Sequence, residues 1–295
     1  VTGAAQSVGF AFNLQSANPA GSGSGGSGGN ARICSELVSY FAGYGTNSQA
    51  FGLGINANQQ LVLFSGDPSG NNASAVIATA SPIIPVGGWH FAELNFTFGG
   101  TCNVWLDGVE VITGSAVPSA TPTTLAFHLA RGGSQGPAGF TVSFDDVFAK
   151  SDATHVGEIK VQTLVPTANS SPLQWTPLSG QNYANAAELP VDGDTSYNYA
   201  ATAPLQDTYQ HAALSGSPLT IPAVQVRACL RKDDSASRTA QTILVSGGTT
   251  EGGATAPVSG SYQYVRDIYA TDPNTSAAWT PAAVSASLIG VKTLS

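Results

Sequence analysis

The feature that most limits what this chain can fold into is a two-residue rhythm between Gly88 and Lys150. From Phe91 to Phe98, Ala92, Leu94, Phe96 and Phe98 fall on one side, and Phe91, Glu93, Asn95 and Thr97 on the other. A half-buried β-strand needs this pattern, because successive side chains of a strand point to opposite faces. Gly99 and Gly100 turn the chain into a second run, with Cys102, Val104 and Leu106 on one side and Asn103 and Trp105 on the other. Asp107-Gly108 then predicts a tight hairpin turn, since glycine accepts positive φ without steric cost. Val109 and Val111 begin the return strand, and Phe140, Val142 and Phe144 pattern a later one that closes with Asp145-Asp146-Val147-Phe148.

The same reading extends along the chain. Strands are predicted at Val8 to Leu14, Ala31 to Phe41, Ala50 to Ile55, Leu61 to Phe64 and Ala75 to Ala80, with residues 19–30 a Gly/Ser-rich exposed loop. Ile159, Val161, Thr163 and Val165 alternate after that, and Pro166 to Pro204 reads as a long connection. Further strands follow at Val224 to Leu230, Thr239 to Ser246, Tyr262 to Ile268 and Leu288 to Leu294. Thr280 as N-cap and Pro281 at the first helical position predict one short helix. Helical periodicity is otherwise nearly absent, and 34 Gly and 17 Pro punctuate the 295 residues, as many short strands joined by turns require. The expected fold class is all-β: two β-sandwich, jelly-roll-like domains in tandem, 1–152 and 153–295.

Only 9% of residues are charged, against about 25% in typical soluble domains. The surface is therefore built mainly from neutral polar side chains, which suits packing in an assembly and also occurs in secreted β proteins. Net charge is −8. Lys and Arg number 3 against 8 Asp and Glu in residues 1–152, and 7 against 10 in the rest. Neither half supplies the basic stripe that phosphate binding needs, so no nucleic-acid partner is expected. The N-terminus lacks the basic-then-apolar run of a signal peptide and no segment is long and apolar enough to span a bilayer, so no membrane insertion is expected. Without methionine, the chain either lost a start Met before Val1 or was cut from something longer. Cys34, Cys102 and Cys229 are too few for a disulfide framework; a Cys34–Cys102 pair and two reduced, buried thiols are both open, the reduced reading being favoured.

Trp89-His90 before an alternating strand, then V-W-L-D-G-V-E-V and a closing F-D-D-V-F, resemble the laminin-G/concanavalin-A-like jelly roll over residues 1–150. That fold hosts lectins, adhesion modules, glycosidases and viral surface proteins, so the resemblance implies architecture and not chemistry. In residues 156–295 the succession I-K-V-Q-T-L-V-P, Q-W-T-P, E-L-P-V-D-G-D-T-S-Y, V-Q-V-R-A-C-L-R-K-D-D and Y-A-T-D-P-N-T-S-A-A-W-T resembles a β domain of tailed-phage structural proteins. This second resemblance implies a virion location.

The residues offer no catalytic, cofactor or metal set. Jelly-roll glucanases use clustered carboxylates of the E-x-D-x-x-E type, which are absent, and adjacent Asp145 and Asp146 should point to opposite faces of a strand. The laminin-G resemblance leaves Asp107 open to calcium, with its turn role favoured, and Asp192 and Asp194 read as a solvated loop without the further oxygens that calcium requires. His90, His128, His155 and His211 lack zinc spacing, and no nucleophile elbow or phosphate loop is present. Trp105, opposite the core face, is open either to a sugar or to a subunit contact. The expected function is thus non-enzymatic: a virion structural protein on the outside of a tailed phage, as capsid decoration, head fibre or tail-fibre component. Its expected partners are other virion proteins, surface glycans and further copies of itself, with Tyr262 and Tyr264 open either to that contact or to the core of the second sandwich. The alternative is a secreted or cell-surface carbohydrate-binding module.

Overall fold

The computed structural model describes residues 5–16, 31–37, 51–56, 58–65, 75–117, 124–131, 141–216, 218 and 220–295. The Gly/Ser-rich loop expected at 19–30 lies outside these residues. The chain divides into two compact units, Val1–Val161 and Gln162–Ser295. Both are β structures, and no helix among the described residues is long and apolar enough to cross a membrane.

The first unit contains β1 (Ala5–Leu14), β2 (Ala31–Leu37), β3 (Phe51–Ile55), β4 (Gln60–Ser65), β5 (Ala75–Ile83), β6 (Trp89–Thr97), β7 (Thr101–Leu106), β8 (Val109–Ala116), β9 (Thr124–Arg131) and β10 (Val142–Lys150). These strands pair as two five-stranded antiparallel sheets, in the orders β10-β1-β6-β7-β8 and β5-β4-β3-β2-β9. One core lies between them. Phe10, Phe12, Leu94, Phe96 and Val104 of the first sheet share it with Leu53, Ile55, Leu61 and Leu63 of the second, all fully buried. At about 1.5–3 kcal/mol for each large apolar side chain taken from water, this cluster is what holds the two sheets together. Asp107 (φ 51) and Gly108 (φ 77) join β7 to β8 in the expected hairpin turn.

Strand β6 departs from expectation in one respect: it is buried on both faces. Phe91, Glu93 and Asn95 on its outer side are 4%, 1% and 5% exposed. The cover is the chain that follows β10. Residues 152–161 have no regular structure and lie along the outer face of the first sheet, so the alternating run Ile159–Val165 is not a strand. Several of their backbone groups bond to side chains of the sheet beneath. The Glu93 carboxylate accepts hydrogen bonds from the amides of Val156 and Gly157, each at 2.8 Å, and lies 2.9 Å from Nδ1 of His155. Ser7 Oγ sits 2.7 and 2.8 Å from the carbonyl oxygens of Asp152 and Thr154. Gly9 leaves room on the same face for the Phe148 ring, which a Cβ at position 9 would meet at 2.1 Å. Phe148 in turn stacks on Phe91 with ring centroids 6.3 Å apart.

The second unit contains β11 (Pro166–Leu173), β12 (Thr176–Pro177), α1 (Asn182–Ala186), β13 (Asn198–Tyr199), β14 (Gln206–His211), β15 (Val224–Leu230), β16 (Arg238–Ser246), β17 (Thr249–Gly252), β18 (Ala256–Val258), β19 (Gln263–Tyr269), α2 (Pro281–Ala286) and β20 (Leu288–Thr293). A six-stranded sheet runs β11-β14-β20-β16-β17, with β18 also on β16. The ribbon β15-β19 and helix α2 pack against it through Val226, Leu244, Trp279 and Val284. Thr280 caps α2 by accepting from the Ala283 amide at 3.1 Å, with Pro281 following. Strands β11 and β14 fall in or beside the stretch read as a connection, because P-T-A-N-S-S-P-L and Q-D-T-Y-Q-H have no apolar alternation.

The cover makes a prediction about the unit's lower boundary. A fragment of residues 1–161 should melt at a higher temperature than one of 1–150, since the shorter piece exposes Phe91 and leaves the Glu93 carboxylate buried without its donors. Equal melting temperatures for the two fragments by circular dichroism would contradict this role for the segment.

Candidate functional site

At one end of the outer face of the β10-β1-β6-β7-β8 sheet the cover leaves a concavity of about 470 Å³, lined by Ala11, Trp89, His90, Phe91, Asp107, Asp145, Asp146, Glu158 and Lys160. Its aromatic wall is Trp89, which opens β6 with 54% of its surface exposed. Asp107 is part of the lining. From its turn position, one carboxylate oxygen accepts from the Phe91 amide at 2.8 Å and the other lies 2.7 Å from His90 Nδ1. Both oxygens are thereby engaged, and the imidazole is held beside Phe12 with ring centroids 5.9 Å apart. Asp107 is therefore a clamp as well as a turn residue: it fixes the His90 ring, whose buried Nε2 has no hydrogen-bond partner among the described residues.

Asp145 and Asp146 overturn the expectation that neighbours on a strand face opposite ways. In the β1–β10 register Gly9 opposes Phe148 and Ala11 opposes Asp145, so Asp146 and Val147 together oppose Phe10. This is a β-bulge, and its extra residue Asp146 adopts φ 49. The bulge turns both carboxylates into the concavity. Asp145 Oδ1 accepts from the Asp146 amide at 2.8 Å, and Asp146 Oδ1 from the Val161 amide at 2.7 Å. The second contact holds the end of the covering segment and with it Glu158 and Lys160. The other oxygens of Asp145 and Asp146, the Glu158 carboxylate and the Lys160 ammonium have no partner among the described residues. Open acceptors, one open donor and an exposed indole suit a ligand rich in hydroxyls. They do not converge on an ion: no group of three His, Cys, Asp or Glu among the described residues is placed to hold a metal.

The other residues singled out in the sequence are otherwise employed. Trp105 stacks on His155 at 4.5 Å between centroids and 18° between planes, so the covering segment takes the face that was open to a sugar or a subunit. His211 Nε2 lies 3.0 Å from Ser287 Oγ in the second unit. The His128 side chain is outside the described residues. Asp192 accepts from the Ser196 amide at 3.2 Å, whereas Asp194 meets Arg231 at 2.9 Å and the Tyr262 hydroxyl at 2.6 Å, so the two serve separate tasks. Tyr262 and Tyr264 are 41% and 52% exposed, which excludes their packing inside the second sandwich. Cys102 is buried and free, without a bridge to Cys34, and burial pushes its thiol up to about 12.

Several motif residues of the second unit prove to be architecture. Asp207, fully buried, accepts from the amides of Gln174 (2.6 Å) and Trp175 (2.7 Å), from Asn182 Nδ2 (2.8 Å) and from the Tyr209 hydroxyl (2.8 Å). Burial, then the neighbouring Asp207 charge, pushes the Tyr209 hydroxyl far above its ordinary range. Four donors around one carboxylate make a closed structural knot, and it accounts for the Q-W pair.

No family model matches the chain, and no curated protein matches it. Among solved structures there are partial likenesses. The carbohydrate-binding module CBM66 from Bacillus subtilis is 18% identical over 50% of this chain and 76% of its own, with a TM-score of 0.32. The cellulose induced protein Cip1 is 20% identical over 53% of this chain and 71% of its own, TM-score 0.35. Trypanosoma rangeli sialidase is 10% identical over 51% of this chain and 21% of its own, TM-score 0.33. Likeness at this level carries no argument about function.

Two expectations follow from the geometry. Replacing Asp207 by Ala leaves the Trp175 amide and the Tyr209 hydroxyl without their acceptor and takes one of two acceptors from the Gln174 amide and from Asn182 Nδ2; it should lower stability in denaturant titration by on the order of 3 kcal/mol, and a change within about 0.5 kcal/mol would contradict the knot. Asp152 is held down to about 2 by the side chain and then the amide of Thr154, with Lys150 adding to it. A depressed carboxyl contributes stability above its ordinary value of 3.8 and loses it as pH falls toward about 2. Asp152→Asn should therefore flatten the stability profile in that window, and an unchanged profile would count against the contact.

Proposed function

We propose that this chain is a non-enzymatic carbohydrate-binding protein acting at a surface, with the concavity beside Trp89 as its sugar site. The observation that carries the reading is the pairing of an indole, 54% exposed, with the open carboxylate oxygens of Asp145, Asp146 and Glu158 and the ammonium of Lys160. A pyranose presents an apolar C–H face ringed by hydroxyls. The indole receives the face, the carboxylates accept from the hydroxyls and Lys160 donates, which is the usual division of labour in a small-molecule site. The bulge at Asp146 supports it further, because bulges re-aim side chains next to functional sites.

Absence of chemistry in this reading follows from how the acids are used. Asp107 spends both oxygens on His90 and Phe91, and Asp145 and Asp146 each spend one on backbone amides. What remains suits recognition better than a nucleophile and acid held across a glycosidic bond. Three open carboxylates against one ammonium favour neutral or amino sugars over acidic ones at this site. A secreted or cell-surface module needs nothing beyond the site; a tailed-phage virion surface rests on the motif resemblance of the second unit.

A glycan array probed with the full chain should give signals on neutral or amino-sugar oligosaccharides. Trp89→Ala should weaken the strongest of them by roughly tenfold to a hundredfold, the equivalent of about 1.5–3 kcal/mol of lost apolar contact. The reading fails if the array is blank, or if Trp89→Ala binds as the parent does while keeping its fold.

A further inference from the structure

The ribbon β15-β19 of the second unit carries a surface that the sugar site does not use. Its register sets Arg227 opposite Arg266 and Cys229 opposite Tyr264. Residues directly opposite share a face, and continuing the pattern by one pair adds Arg231 and Tyr262. All of the arginines and both tyrosines here are exposed. The chain has 10 Lys and Arg in all, so gathering three on one ribbon face is a marked local excess in a protein of net charge −8.

Two details identify what such a face takes. Arg231 is paired with Asp194, but Arg227 and Arg266 have no carboxylate partner among the described residues. Like charges directly across a ladder destabilise it unless an anion lies between them. Each tyrosine ring, in turn, has one cation over it: the Arg227 guanidinium stands 4.7 Å from the Tyr264 centroid and that of Arg231 5.4 Å from Tyr262. With a guanidinium over one face of each ring, fewer of the stacking platforms that single-strand binding depends on are left. Guanidinium N–H groups remain: those of Arg227 and Arg266 lie opposite each other across the two strands, with Arg231 four residues further on, roughly 13 Å at about 3.3 Å per residue.

We infer that the Arg227–Arg266 face of the ribbon binds a linear anionic polysaccharide, its carboxylate or sulfate groups taken in the planar fork that guanidinium offers to such oxyanions. This site is separate from the Trp89 concavity, and opposite in preference: one is lined by acids, the other by arginines. The chain then holds two kinds of glycan by two surfaces.

Affinity electrophoresis of the full chain tests this in gels containing polygalacturonate, dextran sulfate or neutral dextran. Retardation should occur with a charged polymer and not with dextran, and the two charged gels tell carboxylate from sulfate. Arg227→Ser/Arg266→Ser should weaken the retardation about tenfold or more, as loss of charge-assisted contacts implies, while its melting temperature stays equal or rises. Trp89→Ala should be retarded like the parent, which separates this result from the fate of the sugar site. The inference is overturned if neither charged gel retards the chain or if the double variant is retarded equally. It is also overturned if single-stranded DNA binds more tightly than both polymers, or if sedimentation shows self-association that the double variant abolishes.

Discussion

A single buried carboxylate does most to decide what the outer face of the first unit becomes. Glu93 sits in the middle of β6, where an alternating strand would ordinarily present a solvated side chain, yet it is 1% exposed. An ionisable group so placed is costly unless its oxygens are hydrogen-bonded. Val156, Gly157 and His155 supply those partners. Satisfying Glu93 therefore fixes the chain after β10, covers Phe91 and Trp105, and delivers Glu158 and Lys160 to the rim beside Trp89. The hydrophobic core builds the sandwich. Glu93 determines which part of its surface stays open.

Much of this was legible in the chain, and the reasons for the rest are physical. Alternation located β1, β6, β7 and β10, and Asp107-Gly108 located a hairpin, because apolar periodicity and turn chemistry are local properties. The Thr280-Pro281 start of α2 was equally local. The run Ile159–Val165 alternates just as well and is no strand, because its neighbours bond to side chains of a sheet already formed; only tertiary context decides that. Strands β11 and β14 escaped notice for the converse reason. Their pairing is held by backbone and by the Asp207 knot, with few apolar side chains to show it.

The site was hidden by one residue of register. Asp145 and Asp146 read as opposed until the bulge across from Phe10 is known, and nothing in F-D-D-V-F announces which residue is the extra one. Glu93 and Asn95 on the outer side of β6 gave no signal of a cover either, since alternation with polar residues is also what a solvated face shows. Trp89 precedes the alternating run and carries no local mark of a platform, and Trp105, open by its place off the core face, is the one the cover occupies.

The account rests on the covering segment being fixed by Glu93, and hydrogen exchange of the Val156 and Gly157 amides measures that most directly. Neither amide belongs to a strand, and the acceptor of each is the Glu93 carboxylate. The account predicts exchange as slow as that of the central amides of β6 in the full chain, falling to loop-like rates in Glu93→Ala. Exchange of both amides at unprotected-peptide rates in the parent chain would contradict it.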